Sequence, residues 1–229
     1  MTTPVPQPPR EQLDKANELK LEGNELFKAR KWNEALVSYR TALSHLPPRN
    51  RSDKPDLDQA DVDSQGLTED PNMAAVSDIP DALDAECEKA RSVLYANIGA
   101  CLSKMEDHKG VVDACSQALS DDPRYVKALQ RRAASNEKIG TWSSLTSAQE
   151  DYNLLLELLP PGSAESTQTR KALQSLEPRT RVAREEETAE MMDKLKGLGN
   201  TILGQFGLST DNFKFEPNGQ GGYSMNFAR

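Results

Sequence analysis

Two lysines, an arginine and two asparagines stand in this chain at spacings that would let them act on one ligand. Lys20 and Asn24 are four residues apart, as are Lys127 and Arg131, and Asn97 stands two residues before Gly99. Residues four apart on a helix share a face. Cations and carboxamides gathered along one groove can hold the terminal carboxylate and an acidic side chain of a peptide through charge-assisted hydrogen bonds. The asparagines add direction to affinity. An amide offers its donors at a fixed place, so the end of the ligand is registered before its side chains are tested. The five residues lie far apart in sequence, and the chemistry depends on what brings them together.

What brings them together is a repeat. Gly23, Trp32, Ala35, Tyr39, Ala42 and Pro47 run at the same spacing as Gly99, His108, Val111, Cys115, Ala118 and Pro123, 76 residues later. That offset is one tetratricopeptide period of about 34 residues plus an insertion of about 42, and residues 49–86 carry no repeat pattern. A third copy starts at Tyr125, with Ala133 at the glycine position, Gly140 and Trp142 in the turn, then Ala148, Tyr152, Leu155 and Pro160. Its turn is read as about three residues longer. Each copy predicts two antiparallel helices. The small residue allows close approach, the aromatic fills the wedge, and the proline stops the second helix. One copy cannot bury its own apolar face, whereas three stacked copies closed by a terminal helix can. The fold class is therefore all-α, a tetratricopeptide (TPR) helix-turn-helix superhelix of three repeats. A C-terminal capping or extended helix and a short β-hairpin-like tail complete it.

Composition and charge divide the chain further. At 36% hydrophobic and 28% charged, its 229 residues are polar for a globular protein. The expected organisation is a disordered N-terminus over 1–10 and a repeat domain over 11–160 with an acidic disordered insertion at about 49–84. A capping helix and a long amphipathic helix follow over 161–206, then a tail over 207–229. Residues 52–86 hold eleven acidic side chains against Lys54 alone, a net of −10; with −8 overall, the remainder is +2. This stretch is either a solubilising spacer or a mobile competitor that visits the basic groove. No apolar run approaches the ~20 residues of a membrane span and residues 1–10 do not read as a signal peptide, so a cytosolic or nuclear protein with no membrane partner is expected. Cys87, Cys101 and Cys115 are spaced by 14, but the last two occupy packing positions, so core thiols are expected rather than ligands or a disulfide framework.

Lys20-x-x-Gly23-Asn24, then Asn97-x-Gly99, then Lys127-x-x-x-Arg131 resembles the dicarboxylate clamp of tetratricopeptide co-chaperones. These receive the C-terminal Glu-Glu-Val-Asp of the heat-shock protein 90 and 70 chaperones. The resemblance implies that Lys20, Asn24 and Asn97 grip the terminal carboxylate and that Lys127 and Arg131 hold groups further upstream. Lys104 would be an auxiliary contact and Phe27 a groove wall. Leu195-Lys-Gly-Leu-Gly-Asn200, the stretch Phe206 to Phe213 and the closing Gly222-Tyr-Ser-Met-Asn-Phe227 are similar to the C-terminus of the tetratricopeptide repeat protein 1 family. Val111, Ala133 and the lengthened third turn depart from the pattern. Members of that family are described as co-chaperones and adaptors, some with small GTPase or G-protein α-subunit partners.

The C-terminal quarter has its own pattern. Met191, Leu195, Leu198, Ile202 and Phe206 form a continuous helical stripe, either packed on the last repeat or projecting toward a partner helix. Pro178 predicts a break between a capping helix at about 164–176 and this long helix. Phe213 and Phe215, then Tyr223, Met225 and Phe227, alternate with polar residues around Pro217–Gly222, which reads as a β-hairpin needing a dock on the helical domain or a client.

Other signals are weaker. Gly197, Gly199 and Gly204 lie within a helical pattern with no preceding strand, which suits a helix-end device better than a dinucleotide fingerprint. His45 and His108 have no nucleophile, paired acid or metal-ligand spacing beside them. No catalytic site, cofactor or metal is expected, and the net charge of −8 argues against a nucleic-acid partner. Two classes stay open. One is a co-chaperone adaptor that tethers chaperone tails, and the other a signalling scaffold that binds another acidic C-terminus and a GTPase. A capped array suits a monomer.

Overall fold

The structure, a computed structural model, describes residues 9–49, 81–205, 208–210, and the strand residues 213–217 and 223–227. The expected disordered N-terminus over 1–8, the acidic insertion over 50–80, Phe206 of the apolar stripe and the hairpin turn over 218–222 lie outside the described residues.

Among the described residues seven helices follow one another: α1 (Pro9–Lys28), α2 (Trp32–His45), α3 (Asp81–Lys104), α4 (His108–Asp121), α5 (Val126–Ile139), α6 (Trp142–Leu158) and α7 (Ala164–Gly204). They pack as three hairpins, α1 on α2, α3 on α4 and α5 on α6. Each second helix then stacks on the first helix of the next pair, and α7 closes against α6. This is a helical tetratricopeptide-type superhelix.

The spacing of small and bulky residues explains the hairpins. A Cβ at Gly23 would lie 2.5 Å from Cε1 of Tyr39, and one at Gly99 would lie 2.9 Å from Sγ of Cys115. Ala133 is fully buried at the matching position of the third pair. Local devices set the turns. Arg30 and Glu106 both adopt φ 61° and Gly140 adopts φ 76°, one left-handed residue at the matching place in each turn. Asp107 caps α4 by accepting from the Gly110 amide at 2.9 Å, and Thr141 caps α6 through Ser144 N–H. The third copy differs from expectation here. Its turn is short, and the three extra residues extend α6, 17 residues long where α2 and α4 each have 14.

The core runs the length of the array, from Leu13 and Ala16 through Tyr39, Leu94 and Leu129 to Leu155 and Leu176. Cys87, Cys101 and Cys115 are buried and unbridged. Burial pushes the Cys101 and Cys115 thiols up to about 11, so they remain protonated at neutral pH. α3 begins at Asp81, so Asp81, Asp84 and Glu86 belong to a helix rather than to a disordered insertion. α1 likewise starts at Pro9, before the expected end of the N-terminal segment, with proline in the first turn where its missing N–H costs nothing.

The C-terminal region departs most from the sequence reading. Pro178 does not break the chain into two helices; it lies inside α7, which is 41 residues long. A mid-helix proline costs about 3 kcal/mol, and tertiary contacts on both sides hold the helix through it. Leu176 is fully buried just before it. Just after it, Arg179 donates to the Glu137 carboxylate at 3.0 Å and to the Glu137 carbonyl at 2.8 Å. One turn on, the Arg184 guanidinium lies 5.4 Å from the Trp142 ring centroid, and the Trp142 amide donates to Glu187 at 2.6 Å. Beyond Glu187 the apolar stripe projects, and Met191, Leu195, Leu198 and Ile202 are all more than half exposed. After α7 the chain folds back, with Asn200 Oδ1 accepting from the Thr210 amide at 2.6 Å. A Cβ at Gly199 would lie 2.9 Å from the Thr210 methyl, which accounts for a glycine there. β1 (Phe213–Pro217) and β2 (Tyr223–Phe227) pair antiparallel, with Phe213 opposite Phe227 and Phe215 opposite Met225. No described helix is long and apolar enough to cross a membrane.

Candidate functional site

The first helices of the three hairpins, α1, α3 and α5, lie side by side, and their shared face carries the residues singled out by spacing. Asn24 from α1, Asn97 from α3 and Arg131 from α5 line one cavity of about 280 Å³. Phe27 and Tyr39 form part of its wall. Phe27 is itself fixed edge-on against Trp32, with ring centroids 4.7 Å apart.

Hydrogen bonds orient the amides. Asn24 Oδ1 accepts from the Tyr39 hydroxyl at 2.8 Å and from Asn97 Nδ2 at 3.4 Å. With its oxygen occupied by donors, Asn24 has its NH₂ left to offer to an acceptor. Burial pushes the Tyr39 phenol up to about 12, so it stays a donor across the physiological range. Arg131 donates to the Ala96 carbonyl at 3.3 Å. That bond ties α5 to the α3 turn carrying Asn97 and leaves further guanidinium N–H groups for a ligand. The neighbouring Arg132 serves packing instead. It holds Asp151 through two bonds of 2.9 and 2.6 Å and Ser116 at 3.1 Å.

The remaining expected residues are placed differently. Lys20 is half-buried on α1 and donates to Asn17 Oδ1 at 2.7 Å. No carboxylate pairs with it among the described residues, and burial lowers its pKa from 10.5. Lys20 is thus a partly desolvated cation whose bond to a neutral amide leaves its charge uncompensated. It does not line the cavity, and neither do Lys127 or Lys104. Both of those lysines are exposed, and neither has an ion-pair partner among the described residues. The structure therefore gathers Asn24, Asn97, Arg131 and Phe27 at one point, with Lys20 one turn away from Asn24 on the same helix.

The sequence reading missed Tyr39 as part of the site, taking it only as the aromatic that fills a wedge. The available signal was its hydroxyl. At the corresponding place in the second hairpin a cysteine suffices for packing, so the phenolic O–H has a further use, which is holding Asn24. Among the described residues no cluster of histidine, cysteine and carboxylate side chains could hold a metal ion.

Comparisons with known proteins agree with this architecture. No family model matches the chain. It is 28% identical over 149 residues to sperm-associated antigen 1 of Rattus norvegicus, covering 65% of this chain and 12% of that protein. It is 28% identical over 127 residues to the mitochondrial import receptor subunit TOM70 of Rattus norvegicus, covering 56% and 15%. These matches span only a small part of either relative's length. Among solved structures, the C-terminal TPR-containing domain of an FK506-binding protein of Plasmodium falciparum superposes with a TM-score of 0.55 at 22% identity, covering 78% of this chain and 97% of that one. Three helical hairpins stacked in register, each tightened by a small residue in its first helix and closed together by α7, give this chain a tetratricopeptide-type superhelical fold.

Proposed function

We propose that this protein is a co-chaperone adaptor whose groove binds the acidic C-terminal tail, of the Glu-Glu-Val-Asp type, of heat-shock protein 90 or 70 chaperones. The observation that carries this reading is the meeting of Asn24, Asn97 and Arg131, from three different helices, on one cavity, with the Asn24 amide turned by Tyr39. The terminal carboxylate would accept from the two amides and from Lys20. Arg131 would take a second anionic or carbonyl oxygen, and Lys127 and Lys104, further out, would attract the upstream acids. The resemblance of the C-terminal segments to the tetratricopeptide repeat protein 1 family supports an adaptor role of this kind.

Calorimetric titration tests the proposal. A peptide ending in Glu-Glu-Val-Asp should bind with micromolar affinity, roughly −8 kcal/mol, and its C-terminally amidated twin should not. Lys20→Ala and Arg131→Glu should each weaken binding by about 2–5 kcal/mol, because a charged partner is left unpaired. Absence of binding to the free-acid peptide would overturn the chaperone-tail reading and favour a scaffold for another acidic C-terminus.

The state of Lys20 adds a pH signature. Only the ammonium form attracts a carboxylate, and burial has lowered its pKa below 10.5. Affinity should therefore begin to fall at a lower pH than an ordinary lysine would dictate. Lys20→Arg, charged throughout that range, should move the fall to higher pH. A pH series of the same titration checks this.

A further inference from the structure

On α5, Lys127, Gln130, Arg131 and Ala134 stand at i, i+3, i+4 and i+7 and so form one continuous face. Arg131 lines the cavity described above. Gln130 and Ala134 line a second cavity of about 380 Å³, whose other walls come from Tyr152 and from the first turns of α7, including Glu165, Gln168 and Thr169. A peptide leaving the first cavity across α5 would thus pass Lys127 and arrive at the second.

The lining of this second cavity differs from that of the first, where Lys28 and Arg131 stand beside the single carboxylate of Glu25. No lysine or arginine lines the second. Glu165 is an exposed carboxylate without an ion-pair partner among the described residues. Gln130 and Gln168 each bring an amide oxygen. The Thr169 hydroxyl spends its proton on the Glu165 carbonyl at 2.8 Å and keeps lone pairs to accept with. The Tyr152 hydroxyl is engaged by the Glu137 carboxylate, so Tyr152 contributes ring surface. A carboxylate, amide and hydroxyl oxygens and an aromatic ring suit a side chain that is cationic, rich in donors and able to stack, which describes arginine.

Resting on the peptide-tail reading, we propose that this cavity is a subsite for a basic residue, arginine above all, upstream of the acidic terminus. The reach fixes its place in the ligand. Neighbouring helices pack about 10 Å apart, so α7 lies about 20 Å beyond α3, and an extended peptide advances about 3.3 Å per residue. The residue that reaches the subsite lies about six steps upstream of the terminal one, roughly the sixth or seventh from the C-terminus. An acidic residue at that place would be rejected by Glu165, so the groove would discriminate among tails that share the same last four residues.

The test uses the full chain and decapeptides that all end in a free Glu-Glu-Val-Asp, with Arg, Ala or Glu placed in turn at the fifth, sixth and seventh positions from the C-terminus. Arg at one of these positions should tighten binding about tenfold over Ala, and Glu should weaken it. Glu165→Gln should erase most of the Arg advantage, and Glu165→Lys should reverse the preference toward Glu. Both variants should leave the affinity of the Ala peptide within about twofold and the circular dichroism spectrum unchanged, which separates a ligand contact from a helix-terminus role of Glu165. Equal binding of the Arg and Ala peptides at all three positions, with dependence on the free carboxylate intact, would overturn the subsite and leave the groove standing. Failure of every peptide to bind would overturn both.

Discussion

Asp121→Ala should lower the free energy of unfolding by about 3–5 kcal/mol, measured by urea denaturation at unchanged m-value. The Asp121 side chain is 2% exposed and that of Arg91 is 6% exposed, and the two are 3.0 Å apart. Arg49 reaches the same carboxylate with Nε and Nη2, each at 2.8 Å. It also donates to the Gln117 side chain at 2.6 Å and the Gln117 carbonyl at 2.8 Å. Arg91 also donates to the Pro47 carbonyl at 2.7 Å. Removing the carboxylate leaves a guanidinium buried without an ion-pair partner among the described residues, and that penalty outweighs the modest worth of the pair itself. Arg49→Ala should cost distinctly less. Arg49 is 32% exposed, and its loss leaves Asp121 paired with Arg91. Equal losses for the two variants would show that the cost comes from general disruption of the junction. The network joins the exit of α2 to α3 and α4, so it also sets the alignment of Asn24 with Asn97 across the first two hairpins.

Within the single helix α7, Leu176→Ala should cost about 2–5 kcal/mol, whereas Met191→Ala should change stability by less than about 0.5 kcal/mol. Leu176 is 0% exposed and Met191 is 69% exposed. The first substitution opens a cavity in the surface that closes the last repeat, where α7 packs on α6. The second removes side-chain atoms that lie mostly in solvent. Matched thermal or urea unfolding of the two variants checks both halves. A large loss at Met191 would mean that its face is covered in solution.

The hairpins and the site were legible to different depths. The pairing of Gly23 with Tyr39 and of Gly99 with Cys115 could be read from spacing, because close helix approach demands a small residue opposite a bulky one. The buried thiols followed from the same register. Repeat spacing put Asn24, Asn97 and Arg131 on one face, and they line one cavity, but the same spacing put Lys20 and Lys127 with them, and neither lines it. The Asp121 network could not be read. Arg49 and Asp121 are 72 residues apart, and nothing periodic links a charge at the end of one helix to another across an insertion. The course through Pro178 was misread because local propensity argues for a break, while the contacts of Leu176 and Arg179 that override it are tertiary. Periodicity identified the stripe from Met191 to Ile202 as one face of a helix, yet it carries no information about whether anything covers that face.

The unbroken course of α7 turns its projecting part into a ruler. From Glu187, which accepts from the Trp142 amide, to the helix end at Gly204 the chain rises about 25 Å at 1.5 Å per residue. A flexible linker of the same number of residues would let its end wander through a sphere, but a helix holds it at one distance and along one direction. Two ligands held at once, one in the groove and one at the far end of α7, would meet at a separation set by helix geometry. The effective concentration of one for the other would therefore be greatest for pairs whose own dimensions match that span and would fall away for all others.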